Sequence, residues 1–423
     1  MPPLAQLPFE LRHLVLARIA ADCLAQPNVL STLACVCSEW QAAVEAFTFA
    51  RIHLNPARLD DFANIVVGRR AARIRAISLH VPLDPYSKHR NDEKELPEER
   101  KHTSATVVTP LERLFAILHD WPTPPVSHRV SFTLSVDSVS DMARDDKWGH
   151  VGLTHRARSS GLKLERVPMT LLPNTVVQSI RCVGRHLQPS SILAVGSRCL
   201  VLDTLDVELN HDSSSDRDEQ QRALFAGSLE VRTPRIRHLH LRRPQALPGS
   251  STGPRRQPWS AFYSGLRRFS QQCESLVFDD CVYALEFFAP FLRETAASDQ
   301  DIPHWADLRV LHARNSYLVR KPYLRVKHQA KALTAVHKLM LALGQAVKHM
   351  PSLEKARLSL CIMSNIGLEW ITLTYLHSAG MAKLAIRGIT PSKAATDAWS
   401  NSIFLSRGCI LDIMVDPRDA GMS

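Results

Sequence analysis

The stretch Lys331-Ala332-Leu333-Thr334-Ala335-Val336-His337-Lys338-Leu339-Met340-Leu341-Ala342-Leu343-Gly344-Gln345-Ala346-Val347-Lys348-His349-Met350-Pro351 runs directly into Ser352-Leu353-Glu354-Lys355-Ala356-Arg357-Leu358. Two hydrophobic periods meet there. Leu333, Val336, Leu339, Met340, Leu343 and Val347 recur at helical spacing and form one apolar stripe. His349-Met350-Pro351 ends the helix, because the residue before a proline is biased away from helical geometry. Leu353, Ala356 and Leu358 then finish on the alternation of a strand.

The L-x-x-L-x-L pattern of that strand recurs through the chain. It stands at Ile74/Ile77/Leu79, Leu202/Leu205/Val207, Ile236/Leu239/Leu241, Cys273/Leu276/Phe278, Leu308/Leu311/Ala313 and Met381/Leu384/Ile386. Middle positions 205, 239, 276 and 311 are 34, 37 and 35 residues apart. A strand–helix unit of this size cannot bury its own apolar face and has to stack on neighbours. Val130–Val136 and Val176–Cys182 read as additional strands. Asp84–Ser104, His211–Gln221 and Pro244–Pro258 are charged or rich in Ser, Pro and Gly, and read as loops.

The N-terminus has a different character. Leu7-Pro8-Phe9-Glu10-Leu11 opens a helical pattern in which Leu11, Leu14, Val15 and Ile19 share a face. Pro27-Asn28 ends it and offers Asn28 as cap of a second helix bearing Val29, Leu30, Leu33 and Val36, and Ser38-Glu39-Trp40-Gln41 has capping-box spacing for a third. Three such short helices bury too little to stand alone; the next domain or a partner has to cover them.

Leu7, Pro8, Glu10, Leu11, Leu14, Val15, Ile19, Leu30, Leu33, Val36, Cys37, Trp40 and Val44, followed by Phe47-Thr48-Phe49-Ala50-Arg51-Ile52-His53-Leu54, carry an order that resembles the F-box. The body resembles the degenerate leucine-rich repeats that follow many F-boxes, although its repeat exceeds the usual length of about 20–29 residues. The resemblance implies an α/β chain: a three-helix F-box over residues 1–55, then an irregular leucine-rich-repeat-like αβ solenoid over 56–423. It further implies a non-catalytic substrate receptor of a Skp–cullin–F-box ubiquitin ligase, holding a Skp-type adaptor and cullin through the F-box and a target protein through the repeats. Leu7, Pro8, Leu11, Leu14, Val15, Leu30, Leu33, Val36 and Trp40 are the expected adaptor contacts, some of them internal core. The alternatives are a small helical bundle packed on its own chain, a non-ligase interaction scaffold, and a basic nucleic-acid-binding repeat protein.

Composition narrows these. Apolar residues make up 45% of the 423, ample for a buried core. The net charge of +11 is spread without a run of five Lys/Arg or a nucleic-acid-binding signature, so nucleic acid is the weaker partner. Nine scattered cysteines read as reduced thiols of a cytoplasmic or nuclear protein. No apolar run of membrane-spanning length and no secretory leader is legible. Phosphate-loop, dinucleotide, nucleophile-elbow and zinc-helix motifs are absent, so no catalytic residue, cofactor or metal is expected. Cys35-Val36-Cys37 lacks metal-type spacing, and His238 with His240 has no third ligand implied by spacing.

If each motif is a leucine-rich-repeat strand, its alternate positions line a concave face. Those positions are His238, His240 and Arg242; Ser275, Val277 and Asp279; Val310, His312 and Arg314; Lys355, Arg357 and Ser359; Lys383, Ala385 and Arg387, with Thr204, Asp206 and Glu208 forming an acidic end. The expected substrate contacts are His240, Arg242, His312, Arg314, Lys355, Arg357 and Arg387, suited to an acidic or phosphorylated segment.

Overall fold

A computed structural model describes residues 8–23, 27–86, 96–123, 128–145, 150–153, 162–164, 170–185, 187–209, 216–233, 235–242, 260–292, 302–315, 327–364 and 367–416. Twelve strands form one sheet: β1 (Arg51–Leu54), β2 (Ala76–Leu83), β3 (Val130–Ser138), β6 (Val177–Gly184), β7 (Thr204–Glu208), β8 (His238–Arg242), β9 (Ser275–Asp279), β10 (Val310–Asn315), β11 (Lys355–Ser364), β12 (Gly367–Ser378), β13 (Met381–Arg387) and β14 (Leu411–Asp416). Their order in the sheet is their order in the chain. β4 (Met142–Asp145) and β5 (His150–Leu153) make a separate antiparallel pair. The helices are α1 (Phe9–Asp22), α2 (Pro27–Ala34), α3 (Ser38–Thr48), α4 (Leu59–Ile65), α5 (Pro97–His119), α6 (Pro189–Gly196), α7 (Asp216–Arg232), α8 (Ser260–Ser270), α9 (Ala284–Phe287), α10 (Lys327–Val347) and α11 (Lys393–Arg407).

Every recurrent L-x-x-L-x-L motif places its last two apolar positions on a strand. From β7 to β11 these strands are parallel, and their apolar positions stack in register: Leu205, Leu239, Leu276, Leu311 and Ala356 in one row, Val207, Leu241, Phe278, Ala313 and Leu358 in the next. All ten are buried. They join one hydrophobic core with Phe225 and Leu229 of α7, Phe262, Leu266 and Phe269 of α8, and Val336, Leu339, Met340, Leu343 and Val347 of α10. The alternate strand positions face away from that core, and nearly all are half-buried or exposed.

The fold departs from the sequence reading in four places. Residues 97–104 are the first two turns of α5, not loop. Pro97 begins the helix, and the Glu99 carboxylate accepts the Leu96 backbone N–H at 2.9 Å, replacing a missing helical partner. Residues 216–221, also read as loop, are the first turns of α7: once Phe225 and Leu229 anchor the helix, each upstream turn adds a hydrogen bond at little entropic cost. Residues 87–95, 211–215 and 244–258 lie outside the described residues. Asn28 is inside α2, where its carbonyl accepts from the Ser31 and Thr32 hydroxyls, and Ser38 makes no side-chain cap to α3. Finally, β12 breaks the parallel series. Only two residues separate β11 from β12, too few for a parallel crossover, so the chain returns antiparallel. Ala379 and Gly380, with φ of 49° and 77°, turn it again into β13, as a two-residue hairpin loop requires.

The N-terminal helices have a small core of their own, Leu30 and Val44 with Cys23, Leu33, Ala34 and Phe47 against them. Glu45 ties them to the sheet. It is 5% exposed, and its carboxylate accepts from Arg70 Nη2 at 2.9 Å, Arg70 Nε at 3.1 Å, Arg73 Nη1 at 3.4 Å and Gln41 Nε2 at 3.0 Å. Burial pushes this carboxyl up, but the hydrogen bonds from Arg70 and Gln41 and the two arginine charges outweigh it and hold it below its usual range. β1, within the segment read as the helical domain, pairs with β2 as the edge of the large sheet.

His377 on β12 makes stability pH-dependent. Its Nδ1 faces Arg407 Nη1 at 2.5 Å, and burial together with the Arg407 charge lowers its pKa from the ordinary 6.5. His312 is lowered in the same direction, first by burial. The unfolded chain therefore takes up these protons first. The stabilisation is complete above the ordinary histidine pKa of about 6.5 and is lost as pH falls through the folded values. Denaturant titrations from about pH 7 down to about pH 5 should show falling stability, with a shallower fall in His377→Gln.

Candidate functional site

Two surfaces are available for recognition. The first is apolar and lies on the N-terminal helices. Leu11, Leu14 and Val15 are 49%, 66% and 37% exposed, and Val36, just after α2, is 61% exposed. The spacing of Leu11, Leu14 and Val15 makes them neighbours on one face of α1. Leu16, one residue on, is fully buried, and Ile19, expected on the same face as Leu11, Leu14 and Val15, is half-buried. Among the expected adaptor contacts, Pro8, Leu11, Leu14, Val15 and Val36 are exposed, Leu30 is core, and Leu33 and Trp40 are half-buried. Leu7 lies outside the described residues.

The second surface is the open face of the sheet. Register places the candidate residues in three rows. One runs Thr204, His238, Ser275, Val310, Lys355, Leu376, Lys383, Asp412; the next Asp206, His240, Val277, His312, Arg357, Thr374, Ala385, Met414; the third Glu208, Arg242, Asp279, Arg314, Ser359, Thr372, Arg387, Asp416. Ser359 alone of the expected outward positions is buried, at 8% exposure.

Charge pairing sorts this face. Asp206 accepts from Arg242 Nε at 2.7 Å and Nη2 at 2.6 Å, a two-pronged pair, and also lies 3.7 Å from Arg181 Nε and 3.4 Å from His240 Nδ1. Burial raises the Asp206 carboxyl, but His240 and Arg242 pull it below the usual range. Arg242 and His240 are thus already engaged by Asp206 of the expected acidic end. Arg314 is 3.9 Å from Asp279 and stacks over the Trp370 ring at 5.2 Å. Arg387 is 3.9 Å from Asp416, with both side chains largely in solvent. Among the described residues, no carboxylate approaches within 4.0 Å of Lys355, Arg357 or Lys383. His312 beside them is lowered from the ordinary histidine pKa, first by burial and then by Arg357, Lys355 and His240, against the opposing pull of Asp279.

Sequence reasoning missed Arg181 and Trp370. Arg181 falls on β6, read as a strand but not assigned outward positions; Trp370 lies on β12, whose Ile371-Thr372-Leu373-Thr374-Tyr375 alternation was the available signal. Among the described residues, no group of three His, Cys, Asp or Glu is arranged to hold a metal ion, and His240 faces Asp206. No helix among them is long and apolar enough to cross a membrane. Cys182, Cys199, Cys273 and Cys281 are buried free thiols, each pushed up by burial, to about 12 in the first three. Such thiols are poor nucleophiles. The chain matches no protein-family model and no curated protein.

Proposed function

We propose that this chain is a substrate receptor of a Skp–cullin–F-box ubiquitin ligase, with an F-box over its N-terminal helices and an irregular leucine-rich-repeat-like solenoid as its body. The observation that carries this reading is the exposed apolar face of Leu11, Leu14 and Val15 on a helix whose Leu16 is fully buried. Apolar side chains at this exposure, on helices tied to a large sheet through Glu45, fit a docking surface for a small adaptor subunit. Parallel strands stacked in chain order support the repeat-like body. The chain itself makes and breaks no bond in this reading. It raises the effective concentration of a bound protein's lysines near a charged conjugating enzyme.

The test is capture of a Skp-type adaptor by the full chain. Leu11→Asp with Leu14→Asp should weaken capture at least thirty-fold, since loss of apolar anchors commonly costs about 2 kcal/mol or more. Both side chains point to solvent, so the variant's thermal unfolding should match the wild type. Unchanged capture would remove the proposed docking face. Adaptor recovery without a cullin would favour the non-ligase scaffold.

A further inference from the structure

Most cations on the open face have a carboxylate within 4.0 Å, but among the described residues Lys355, Arg357 and Lys383 have none. Lys355 and Arg357 stand two residues apart on one face of β11, about 7 Å along the strand. Lys383 stands in the row of Lys355, two strands away and so about 10 Å across the sheet. Leu376 lies between the two lysines in that row and is 47% exposed. Arg314 and Arg387 border the patch in the third row, each with only a loose carboxylate neighbour at 3.9 Å. The other positions of these rows over β10 to β13 are His312 and the smaller Val310, Ser359, Thr372, Thr374 and Ala385.

We infer that this patch binds an acidic segment of a partner protein, an extended run of Asp and Glu interleaved with an apolar residue that seats on Leu376. Spacing selects this ligand. The cations stand on three of four adjacent strands, β10, β11 and β13, across about 14 Å of sheet, which an extended chain crosses in four or five residues. A run of carboxylates meets such a distribution, whereas one phosphate presents all its oxygens at a single point. Electrostatics agrees: the uncompensated charges of Lys355 and Arg357 already disfavour protonation of His312, and an arriving polyanion relieves that repulsion. Steering by such a patch acts mainly on the association rate and weakens with salt. That the bound protein is a ubiquitination substrate rests on the receptor reading; the binding chemistry does not.

The experiment uses the purified full chain without adaptor, and fluorescence anisotropy of three labelled peptides: a Glu-Leu-Glu repeat, its Gln-Leu-Gln counterpart, and the Gln peptide with one phosphoserine. Mixed-sequence single-stranded RNA is the fourth probe. The Glu peptide should bind and the Gln peptide should not. Lys355→Glu with Arg357→Glu should weaken the Glu peptide at least thirty-fold, and Lys383→Ala severalfold. Lys338→Glu, on the exposed side of α10, should leave it unchanged and so exclude a response to net charge alone. Matching circular-dichroism melts establish that the variants fold. Equal binding of Glu and Gln peptides, preference for the phosphopeptide or RNA, or indifference to the double reversal would overturn the assignment. Adaptor capture by the same double variant should stay at wild-type strength, so this result and the adaptor result fail separately.

Discussion

Asp141→Ala should lower the unfolding free energy by about 3–5 kcal/mol, the cost of leaving a buried charge without its partner. Asp141 is fully buried and Arg185 is 4% exposed. Arg185 Nε donates to both carboxylate oxygens at 3.0 and 2.9 Å, and Nη2 donates to Oδ1 at 2.8 Å. The Ser138 backbone N–H and the Tyr86 hydroxyl complete the carboxylate's shell at 2.7 and 3.1 Å, and the Arg185 guanidinium lies over the Tyr86 ring at 5.6 Å. The cluster joins the chain segments leaving β2, β3 and β6. Gly184 makes it possible: at φ of 88° a Cβ there would stand 2.3 Å from the Val136 carbonyl oxygen. Denaturant titration of Asp141→Ala, Arg185→Ala and the double variant checks this. A double variant no worse than either single one is the expected result, because most of the penalty belongs to the orphaned partner. Additive losses would mean that the two groups act independently.

Trp305→Ala should cost a similar amount, about 3–5 kcal/mol, through the cavity it leaves. The indole is fully buried and stacks among Phe287, Phe288 and Phe291, with ring centroids 5.8, 6.2 and 6.0 Å away. Phe287 in turn meets Phe278 of β9 at 5.1 Å, so the aromatic cluster supports the sheet from its covered side. The indole Nε1–H donates to Ser270 Oγ at 2.9 Å. Truncation also removes this bond but leaves the Ser270 hydroxyl donating to the Arg267 carbonyl at 2.9 Å, so the lost bond adds only about 0.5–1.5 kcal/mol. Trp305→Phe should recover most of the packing and leave only the lost hydrogen bond, whereas Ser270→Ala leaves the buried indole N–H unpaired and should cost about 1–3 kcal/mol. A Trp305→Ala loss below about 1 kcal/mol would show that the cavity collapses.

Legibility followed the length and amphipathicity of each segment. The stripe Leu333, Val336, Leu339, Met340, Leu343 and Val347 falls on α10 and is buried except for half-buried Leu333, because a long one-sided helix has one orientation in which it buries its surface. The alternating motif ends became strands for the same reason. Residues 97–104 and 216–221 misled because polar first turns of a helix resemble loop, and because the turns that stabilise them lie downstream. In the N-terminal helices, spacing places Leu11, Leu14 and Val15 on one side but does not say whether that side faces inward; the burial of Leu16 decides it.

The candidate site divides along the same line. Alternation along the motif strands was enough to name their open-face residues, since strand side chains alternate whatever their neighbours, but not those of β6, β12 and β14, which lack the motif. Which of them carry free charge depends on lateral register. Asp206 neutralises Arg242 only because β7 and β8 pair so that the two carboxylate oxygens meet a guanidinium 36 residues away. Lys355 and Arg357 remain uncompensated because β12 returns threonine and leucine beside them in place of acids. The sequence by itself determined the periods, and through them the strands, most helices and the outward residue set, because these follow from local geometry. The tertiary structure alone decided which apolar side chains stay exposed and which charges stay without a close carboxylate, because burial and ion pairing arise between segments distant in the chain.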